Sequence, residues 1–140
     1  MTTRRTLRAG VLAVEITLSA AGLKAVTLPT EAPEELDAAM LAALLDQLAA
    51  FPLDLEGTAP FTRLVWERMQ RIPAGEALTY GELAAAVGNP RASRAVGQAC
   101  ATNPRLLIVP CHRVLAAEGL GGFALGLDWK RKLLELEAHG

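Results

Sequence analysis

Apolar residues near the start of the chain occur in short runs rich in β-branched side chains rather than at helical spacing. The runs VLAVEITL (residues 11–18) and LKAVTLP (residues 23–29) flank a Ser-Ala-Ala-Gly turn, which predicts a β-hairpin closed by Gly22. Residues 7–10 are a candidate for a short third strand. The chain is therefore expected to begin with a small sheet.

Helical spacing of apolar residues takes over after residue 33. The positions from Met40 to Leu48 predict a helix, and acidic residues at positions 34, 35 and 37 mark its start, because the helix dipole favours negative charge there. Residues 51–60 contain two prolines and a glycine and predict a linker. Residues 61–71 predict an amphipathic helix on the spacing of Leu64, Val65, Arg68 and Met69.

A pair of short helices follows. Thr79 is the expected N-cap of the first, Glu82 completes a capping box, and this helix is expected to run to Val87. A Gly-Asn-Pro turn leads to a second helix over residues 92–101, for which Ser93 is the candidate cap. This arrangement predicts a helix-turn-helix. Beyond it we expect a buried segment at residues 105–110, a glycine-rich loop at residues 119–126 and a last helix over residues 128–137.

Taken together, these patterns predict a fold of the α/β (α+β) class. A small N-terminal unit of sheet and helix, residues 1–57, is expected to precede a mainly helical unit, residues 58–140, that resembles a winged helix-turn-helix. The length of 140 residues is sufficient for a real hydrophobic core.

Charge and composition narrow the classes of protein that fit. The formal net charge of −1 excludes a strongly basic nucleic-acid binder on total charge alone, but residues 1–59 carry −4 and residues 60–140 carry +3, which permits a basic face in the second half. Two cysteines are too few for a disulfide scaffold. No apolar run suits a membrane span or a secretory signal, so we expect a cytoplasmic protein without a membrane partner.

The densest chemical cluster is Cys111-His112-Arg113. A cysteine reacts as its thiolate, and a neighbouring base and cation favour that form. The alternative is that Cys111 is only a small buried side chain after an apolar run. Cys100, in the second short helix, is expected to be a buried thiol. The spacing of the cysteines and histidines fits no structural zinc site, so no metal is expected.

Three other polar residues have structural explanations when each is considered alone. Arg94 suits either a solvated arginine or a DNA contact. Tyr80 suits a half-buried structural tyrosine, and Glu137 suits a surface charge. The residues by themselves leave these alternatives open.

The order of motifs in the second half resembles the O6-alkylguanine-DNA alkyltransferases, or methylated-DNA–protein-cysteine methyltransferases. The run IVPCHRV at residues 108–114 is similar to the active-site signature of that family. The motifs YGEL (residues 80–83), GNP (88–90), RAVG (94–97) and NP (103–104) precede it at the family's spacing, and Lys130 and Glu137 follow. The resemblance is close over residues 61–140 and loose over residues 7–58, where it implies a trimmed ribonuclease H-like domain.

What the resemblance implies is repair of DNA by direct, irreversible transfer of an alkyl group, such as methyl, from O6-alkylguanine in duplex DNA to the protein. Cys111 would accept the group in an in-line displacement, so that each molecule acts once. His112 would deprotonate Cys111 through a water, and Glu137 would orient His112. Tyr80 would donate towards the departing guanine, and Asn103 would brace the turn that holds Cys111.

The resemblance also implies that the damaged nucleotide is flipped out, because a base inside the duplex is out of reach. Arg94 would fill the gap, and the small residues Ala95 and Gly97 would let their helix approach the minor groove. The carbonyl groups of Cys111 and Val114 would recognise the exocyclic amine of guanine. Further DNA contacts are assigned to Arg91, Arg113 and Tyr80, and the substrate pocket to Cys100, Val114, Phe123 and Ala124.

The expected partner is duplex DNA containing O6-alkylguanine. We expect a monomer that uses no nucleotide or other cofactor. The affinity for DNA should depend on salt and should also draw on Arg105 and on residues 130–132.

Two other functions remain as alternatives. An alkyltransferase-like protein binds lesions without accepting the alkyl group, but such relatives lack the cysteine that stands here at position 111. A helix-turn-helix regulator with a structural cysteine leaves residues 110–113 and Glu137 unexplained. One departure from the family is Phe123, where many members have tyrosine, so that the ring is kept and the hydroxyl is lost.

Overall fold

The first part of the chain is a three-stranded antiparallel sheet. The structure is a computed structural model that describes residues 1–123 and 125–139. The strands lie in the order β1 (Thr3–Ala9), β2 (Leu12–Ser19) and β3 (Gly22–Thr27). The predicted hairpin is confirmed, and the third strand is longer than expected, since it begins at residue 3 rather than residue 7.

One face of this sheet is part of the hydrophobic core. Side chains alternate along β2, where Val14 and Ile16 are buried and Glu15 is exposed, as the two-residue period of a strand requires. Helix α1 (Ala38–Ala49) packs against β1 through its apolar side. The Asp37 carboxylate caps this helix by accepting a hydrogen bond, at 2.8 Å, from the main-chain N–H three residues later.

The second half contains the helices α2 (Pro60–Met69), α3 (Tyr80–Ala86), α4 (Ser93–Ala101) and α5 (Leu127–His139). Helices α3 and α4 form the predicted helix-turn-helix, and α2 packs on both. Two short strands that were not predicted, β4 (Leu78–Thr79) and β5 (Val114–Leu115), pair in parallel beside them.

The predicted caps of α3 and α4 have different outcomes. The capping box of α3 is confirmed, with the Glu82 N–H donating to Thr79 Oγ1 at 3.0 Å and the Thr79 N–H donating to the Glu82 carboxylate at 2.9 Å. The prediction of Ser93 as a cap is wrong, because Ser93 is the first residue of α4 and no side chain caps it. The Gly-Asn-Pro turn defines this start instead, since the Ala92 N–H donates to the Asn89 carbonyl oxygen at 3.0 Å.

Helix α2 buries Val65 and Met69 as predicted, but its buried face is shifted from Leu64 towards Trp66. Val65, Trp66 and Met69 are buried, whereas Leu64 is 46% exposed. The indole N–H of Trp66 donates to the Ala99 carbonyl oxygen on α4 at 2.9 Å, which turns this side of α2 inward.

The predicted fold class is confirmed, while the boundary between residues 57 and 58 stays a prediction. Strand β3 contributes hydrogen bonds to both sides of that boundary: the Leu23 N–H donates to the Pro52 carbonyl oxygen at 2.7 Å, and the Val26 N–H donates to the Pro104 carbonyl oxygen at 2.8 Å. Within the described ranges, no helix has the length and apolar character needed to cross a membrane.

Candidate active site

A cavity of about 190 Å³ opens between α4, the start of α3 and the loop before α5. Cys111 lines this cavity together with residues of α4, the helix that is predicted from sequence to contact DNA. The described lining consists of Tyr80, Gly97, Cys100, Ala101, Cys111, Gly122 and Phe123. Five residues singled out by sequence are thus brought to one cavity, namely Tyr80, Gly97, Cys100, Cys111 and Phe123.

Cys111 begins a single 3-10 turn, Cys111–Arg113, after a tightly folded loop. The Cys111 N–H donates to the Val109 carbonyl oxygen at 2.8 Å, and the same oxygen accepts from Asn103 Nδ2 at 2.8 Å. Asn103 is buried, so its amide spans the loop from the inside. Leu107 adopts a φ of 74°, a conformation that is costly for a non-glycine residue and needs such surroundings to hold it.

The protonation state of the two cavity cysteines follows from their burial. Burial raises the pKa of the Cys111 thiol, while the Asn103 side chain and the positive charge of Lys130 oppose that rise. Cys111 therefore needs a base to become a thiolate at neutral pH. Burial and the neighbouring Cys111 raise the pKa of Cys100 to about 12, so Cys100 remains a thiol and is not a nucleophile.

His112 is the residue that the sequence predicts to be that base. It is 1% exposed, and its Nε2 lies 3.1 Å from Glu137 Oε2, at an angle poor for a full hydrogen bond. Its Nδ1 has no protein hydrogen-bond partner in the part of the chain that the structure describes. Burial lowers the pKa of His112, and Glu137 opposes this only in part. His112 is therefore neutral at physiological pH and free to accept a proton.

Arg113 holds Glu137 rather than DNA. Its Nε and Nη2 donate to the two Glu137 oxygens at 2.9 and 2.5 Å, and its Nη1 donates to the Ile72 carbonyl oxygen at 2.8 Å. Burial alone raises the pKa of Glu137, but the hydrogen bonds from Arg113 and His112 outweigh it and bring the pKa to about 2. The assignment of Arg113 to DNA contact is wrong, because its guanidinium is buried and already paired.

Replacing Glu137 with glutamine is expected to destabilise the fold by about 3–5 kcal/mol, because the buried Arg113 charge loses its partner. The pH dependence of this stabilisation follows from the carboxyl group of Glu137, whose ordinary pKa of 4.5 falls to about 2 on folding. Its contribution is complete above pH 4.5 and is lost as the pH falls towards 2. Urea unfolding across this range should therefore show a steeper loss of stability in the wild type than in Glu137→Gln. Equal slopes would contradict the ion pair.

Lys130 is a site residue whose position sequence reasoning missed. Its side chain is fully buried, and its Nζ donates to the Val114 and Gly122 carbonyl oxygens at 2.7 and 2.9 Å. It thereby ties α5 to the strand after Cys111 and to the loop on the cavity wall. One signal was available: Lys130 and Glu137 both lie on the apolar stripe of the last helix, where a charge needs a partner.

Three of the basic residues counted towards DNA affinity are not at the surface. Arg105, Arg113 and Lys130 are all buried and donate to groups of the protein. The net positive charge of the second half is therefore largely an internal feature. The exposed basic residues beside α4 are Arg91 and Arg94.

The pocket assignment of two predicted residues stays a prediction. Val114 is fully buried, its carbonyl oxygen accepts from Lys130, and it is not among the described lining residues. The expectation that Val114 lines the pocket therefore stays a prediction. Ala124 lies outside the described residues.

Tyr80 and the loop on the far wall of the cavity fit closely together. The Gly122 N–H donates to the Tyr80 hydroxyl at 3.3 Å. At Gly121, which has a φ of 71°, a Cβ atom would lie 2.8 Å from that hydroxyl oxygen, so only glycine allows this approach.

The outward face of α4 carries the remaining predicted DNA-contacting residues. Arg94 and Ala95 are exposed, and Gly97 on the same helix reaches the cavity. Gln98, one turn after Arg94, is exposed on this face as well and was not singled out from sequence. Residues four apart lie on the same side of a helix, so the spacing of Gln98 from Arg94 could have identified it.

Comparison with known proteins agrees with this arrangement. The family described as "6-O-methylguanine DNA methyltransferase, DNA binding domain" matches residues 60–139. A methylated-DNA–protein-cysteine methyltransferase from Methanosarcina acetivorans is 53% identical over 94 residues, which cover 65% of this chain and 60% of that protein. One from Mycobacterium leprae is 49% identical over 110 residues, which cover 78% and 65%. The chain thus spans only about three fifths of the length of such curated relatives.

The fold is similar to that of solved relatives over nearly all of its length. The crystal structure of Mycobacterium tuberculosis OGT in complex with DNA aligns with a TM-score of 0.76 and 35% identity, covering 97% of this chain and 92% of that chain. The similarity therefore includes the N-terminal sheet as well as the helices around the cavity.

Proposed function

Because the chain belongs to the 6-O-methylguanine DNA methyltransferase family, we propose that it repairs DNA by moving an alkyl group from O6 of guanine to Cys111. The activity is that of a single-turnover methylated-DNA–protein-cysteine S-methyltransferase. The observation that carries this proposal is the Cys111 thiol in a cavity wall, with a neutral His112 and an ionised Glu137 behind it.

The proposed chemistry is one in-line displacement. Neutral His112 keeps its proton on Nε2, towards Glu137, so its Nδ1 takes the thiol proton through a water. The Cys111 sulfur then attacks the alkyl carbon, and the S–C bond forms as the C–O6 bond breaks. The guanine leaves with the electron pair of that bond, and Tyr80 donates a hydrogen bond towards it. The product thioether is stable, so each molecule acts once.

Duplex DNA is the proposed partner, with the lesion flipped into the cavity. A single helix, α4, presents Arg94 to solvent and Gly97 to the cavity. A base that leaves the stack at Arg94 therefore has a short path to Cys111. The small side chain of Ala95 lets α4 approach the floor of the minor groove. Arg91 adds positive charge beside this helix.

The remaining parts of the proposal concern the state of the protein. We propose a monomer, since every group of the site comes from one chain, and no cofactor, since the reaction consumes only the thiol and the lesion. We propose the cytoplasm as its location, because the acceptor must stay a reduced thiol. Residues 1–57 and 58–140 remain the proposed division of the chain.

Intact mass spectrometry tests the function directly. After incubation with a duplex that contains one O6-methylguanine, we expect the protein to gain one methyl group in place of one hydrogen, on the peptide that contains Cys111. The unmodified duplex of the same sequence is the control. Preferential binding to the lesion without a mass gain would indicate an alkyltransferase-like binder. Equal binding to both duplexes and no gain would exclude both functions.

A further inference from the structure

Arg105 is a buried cation at the junction between the N-terminal sheet and the loop that leads to Cys111. It is 4% exposed. Its Nε donates to the Leu23 carbonyl oxygen at 3.2 Å, and its Nη2 donates to the Asp54 carbonyl oxygen. Its guanidinium carbon lies 5.2 Å from the centre of the Trp66 ring on α2. One side chain thus contacts β3, the segment after α1, and α2.

The acceptors of Arg105 are themselves held firmly. The Asp54 N–H donates to the Leu23 carbonyl oxygen at 2.9 Å, so the two acceptor residues are bonded to each other. The Asp54 carboxylate accepts from Ser19 Oγ at 2.6 Å and from the Glu56 N–H at 3.0 Å. The N-terminal side of the contact is therefore a fixed platform rather than a mobile loop.

On the other side, three hydrogen bonds through Asn103 and Val109 link the main chain of Arg105 to the main chain of Cys111. The Arg105 N–H donates to Asn103 Oδ1 at 2.9 Å, and Asn103 Nδ2 donates to the Val109 carbonyl oxygen at 2.8 Å. That oxygen also accepts from the Cys111 N–H at 2.8 Å. The neighbouring Pro104 carbonyl oxygen accepts from Val26 of β3 at 2.8 Å. The loop is thus bound to the sheet at its base and to Cys111 at its end.

Stability alone is a weak reason to bury a guanidinium here. Desolvation opposes a buried charge, and apolar side chains of similar volume often replace buried charges without loss of stability. Burial also lowers the pKa of Arg105, with the Asp54 charge opposing. An apolar side chain cannot make directed hydrogen bonds. Those of the guanidinium fix the position of the loop relative to the sheet.

We propose that Arg105 is a positioning residue, which ties the Cys111 loop to the N-terminal sheet and thereby holds the sulfur in line with the alkyl group. This assigns a part in the reaction to the N-terminal unit, which carries none of the reacting groups. The inference rests on the proposed function, because position matters only for an attack by Cys111. Reactions of this kind lose about a hundredfold in rate when a reacting group is displaced by about 1 Å.

The test compares Arg105→Met, which keeps the side-chain volume, with Arg105→Lys, which keeps the charge but not the fork of donors. We expect the first-order rate of methyl transfer at saturating lesion duplex to fall at least about tenfold in Arg105→Met and less in Arg105→Lys. The dissociation constant for the duplex, measured in a Cys111→Ala background, should stay within about twofold, because Arg105 lies away from the DNA face.

Arg63→Met is the matched control. Arg63 also donates to a main-chain carbonyl, that of Leu55 at 2.7 Å, but it is exposed and has no connection to the Cys111 loop. Its transfer rate should equal that of the wild type. A second readout is the pH dependence of the transfer rate, whose midpoint should move upward in Arg105→Met, because a displaced loop weakens the Asn103 support for the thiolate.

Each outcome has a separate meaning. A wild-type rate constant in folded Arg105→Met would overturn the inference while leaving the proposed function intact. A larger dissociation constant with an unchanged rate constant would also overturn the inference and would indicate that Arg105 contributes to DNA binding. If Arg105→Met does not fold, the test uses Arg105→Lys instead. A wild-type transfer rate in Arg105→Lys would then show that the two directed donors of the guanidinium are not required. No transfer by the wild-type protein would refute the proposed function itself.

Discussion

The Cys111→Ala variant is expected to accept no methyl group from an O6-methylguanine duplex and yet to bind that duplex as tightly as the wild-type protein. The sulfur of Cys111 is the atom that forms the new bond, and Cys100, the other thiol in the cavity, has its pKa raised to about 12 and stays protonated. The exposed face of α4 that we propose to contact DNA is unchanged by the substitution, so binding should persist.

The measurement pairs intact mass with binding to lesion and normal duplexes. The loss of a small buried side chain costs only a modest part of the folding free energy, and unfolding in urea confirms that the variant is folded. Cys111→Ser is the conservative partner, since a hydroxyl keeps the volume but is not activated by a neutral histidine to a comparable degree. A methyl gain in Cys111→Ala would show that another residue is the acceptor.

The Arg94→Ala variant is expected to slow transfer from fully paired duplex by about a hundredfold. Flipping a base costs a few kcal/mol, and each 1.4 kcal/mol that the inserted side chain supplies is worth about tenfold in rate. Because Arg94 is exposed and makes none of the described hydrogen bonds that hold Cys111, the chemical step itself should be unaffected. Transfer from a single-stranded oligonucleotide, where no partner base has to be left, should therefore change far less.

Rapid-quench assays on the two substrates separate these effects. The matched control is Arg71→Ala, which removes an exposed arginine just after α2. Equal slowing on both substrates would show that Arg94 acts on the fold or the cavity and not on base flipping. A wild-type rate from duplex would show that the assigned function of Arg94 is wrong.

Local features were predictable because the groups that decide them are neighbours in the chain. The hairpin follows from alternating apolar residues around one glycine turn, and the capping box follows from Thr79 and Glu82, three residues apart. The run of residues 110–113 drew attention for the same reason, since a thiol, a base and a cation are adjacent. In these places local geometry and local chemistry agree.

The failures concern charged residues whose partners are far away in sequence. Arg105 donates to a carbonyl oxygen 82 residues earlier, and Arg113 pairs with a carboxylate 24 residues later. Sequence counts such charges but does not say whether they face water. The charge count therefore suggested a basic DNA-binding face in the second half, but the structure buries Arg105, Arg113 and Lys130.

The sequence by itself determined the fold class and the helix-turn-helix and singled out Cys111 as the candidate nucleophile, because each depends on spacing along the chain. Only the tertiary structure decided how the charged groups around that thiol are held. It paired Arg113 with Glu137, set Tyr80 against Gly122, and turned Arg105 and Lys130 inward to hold the loops around the cavity. The physical reason is that a buried charge must find its partners wherever the fold brings them, and that choice is made by packing rather than by neighbours in sequence.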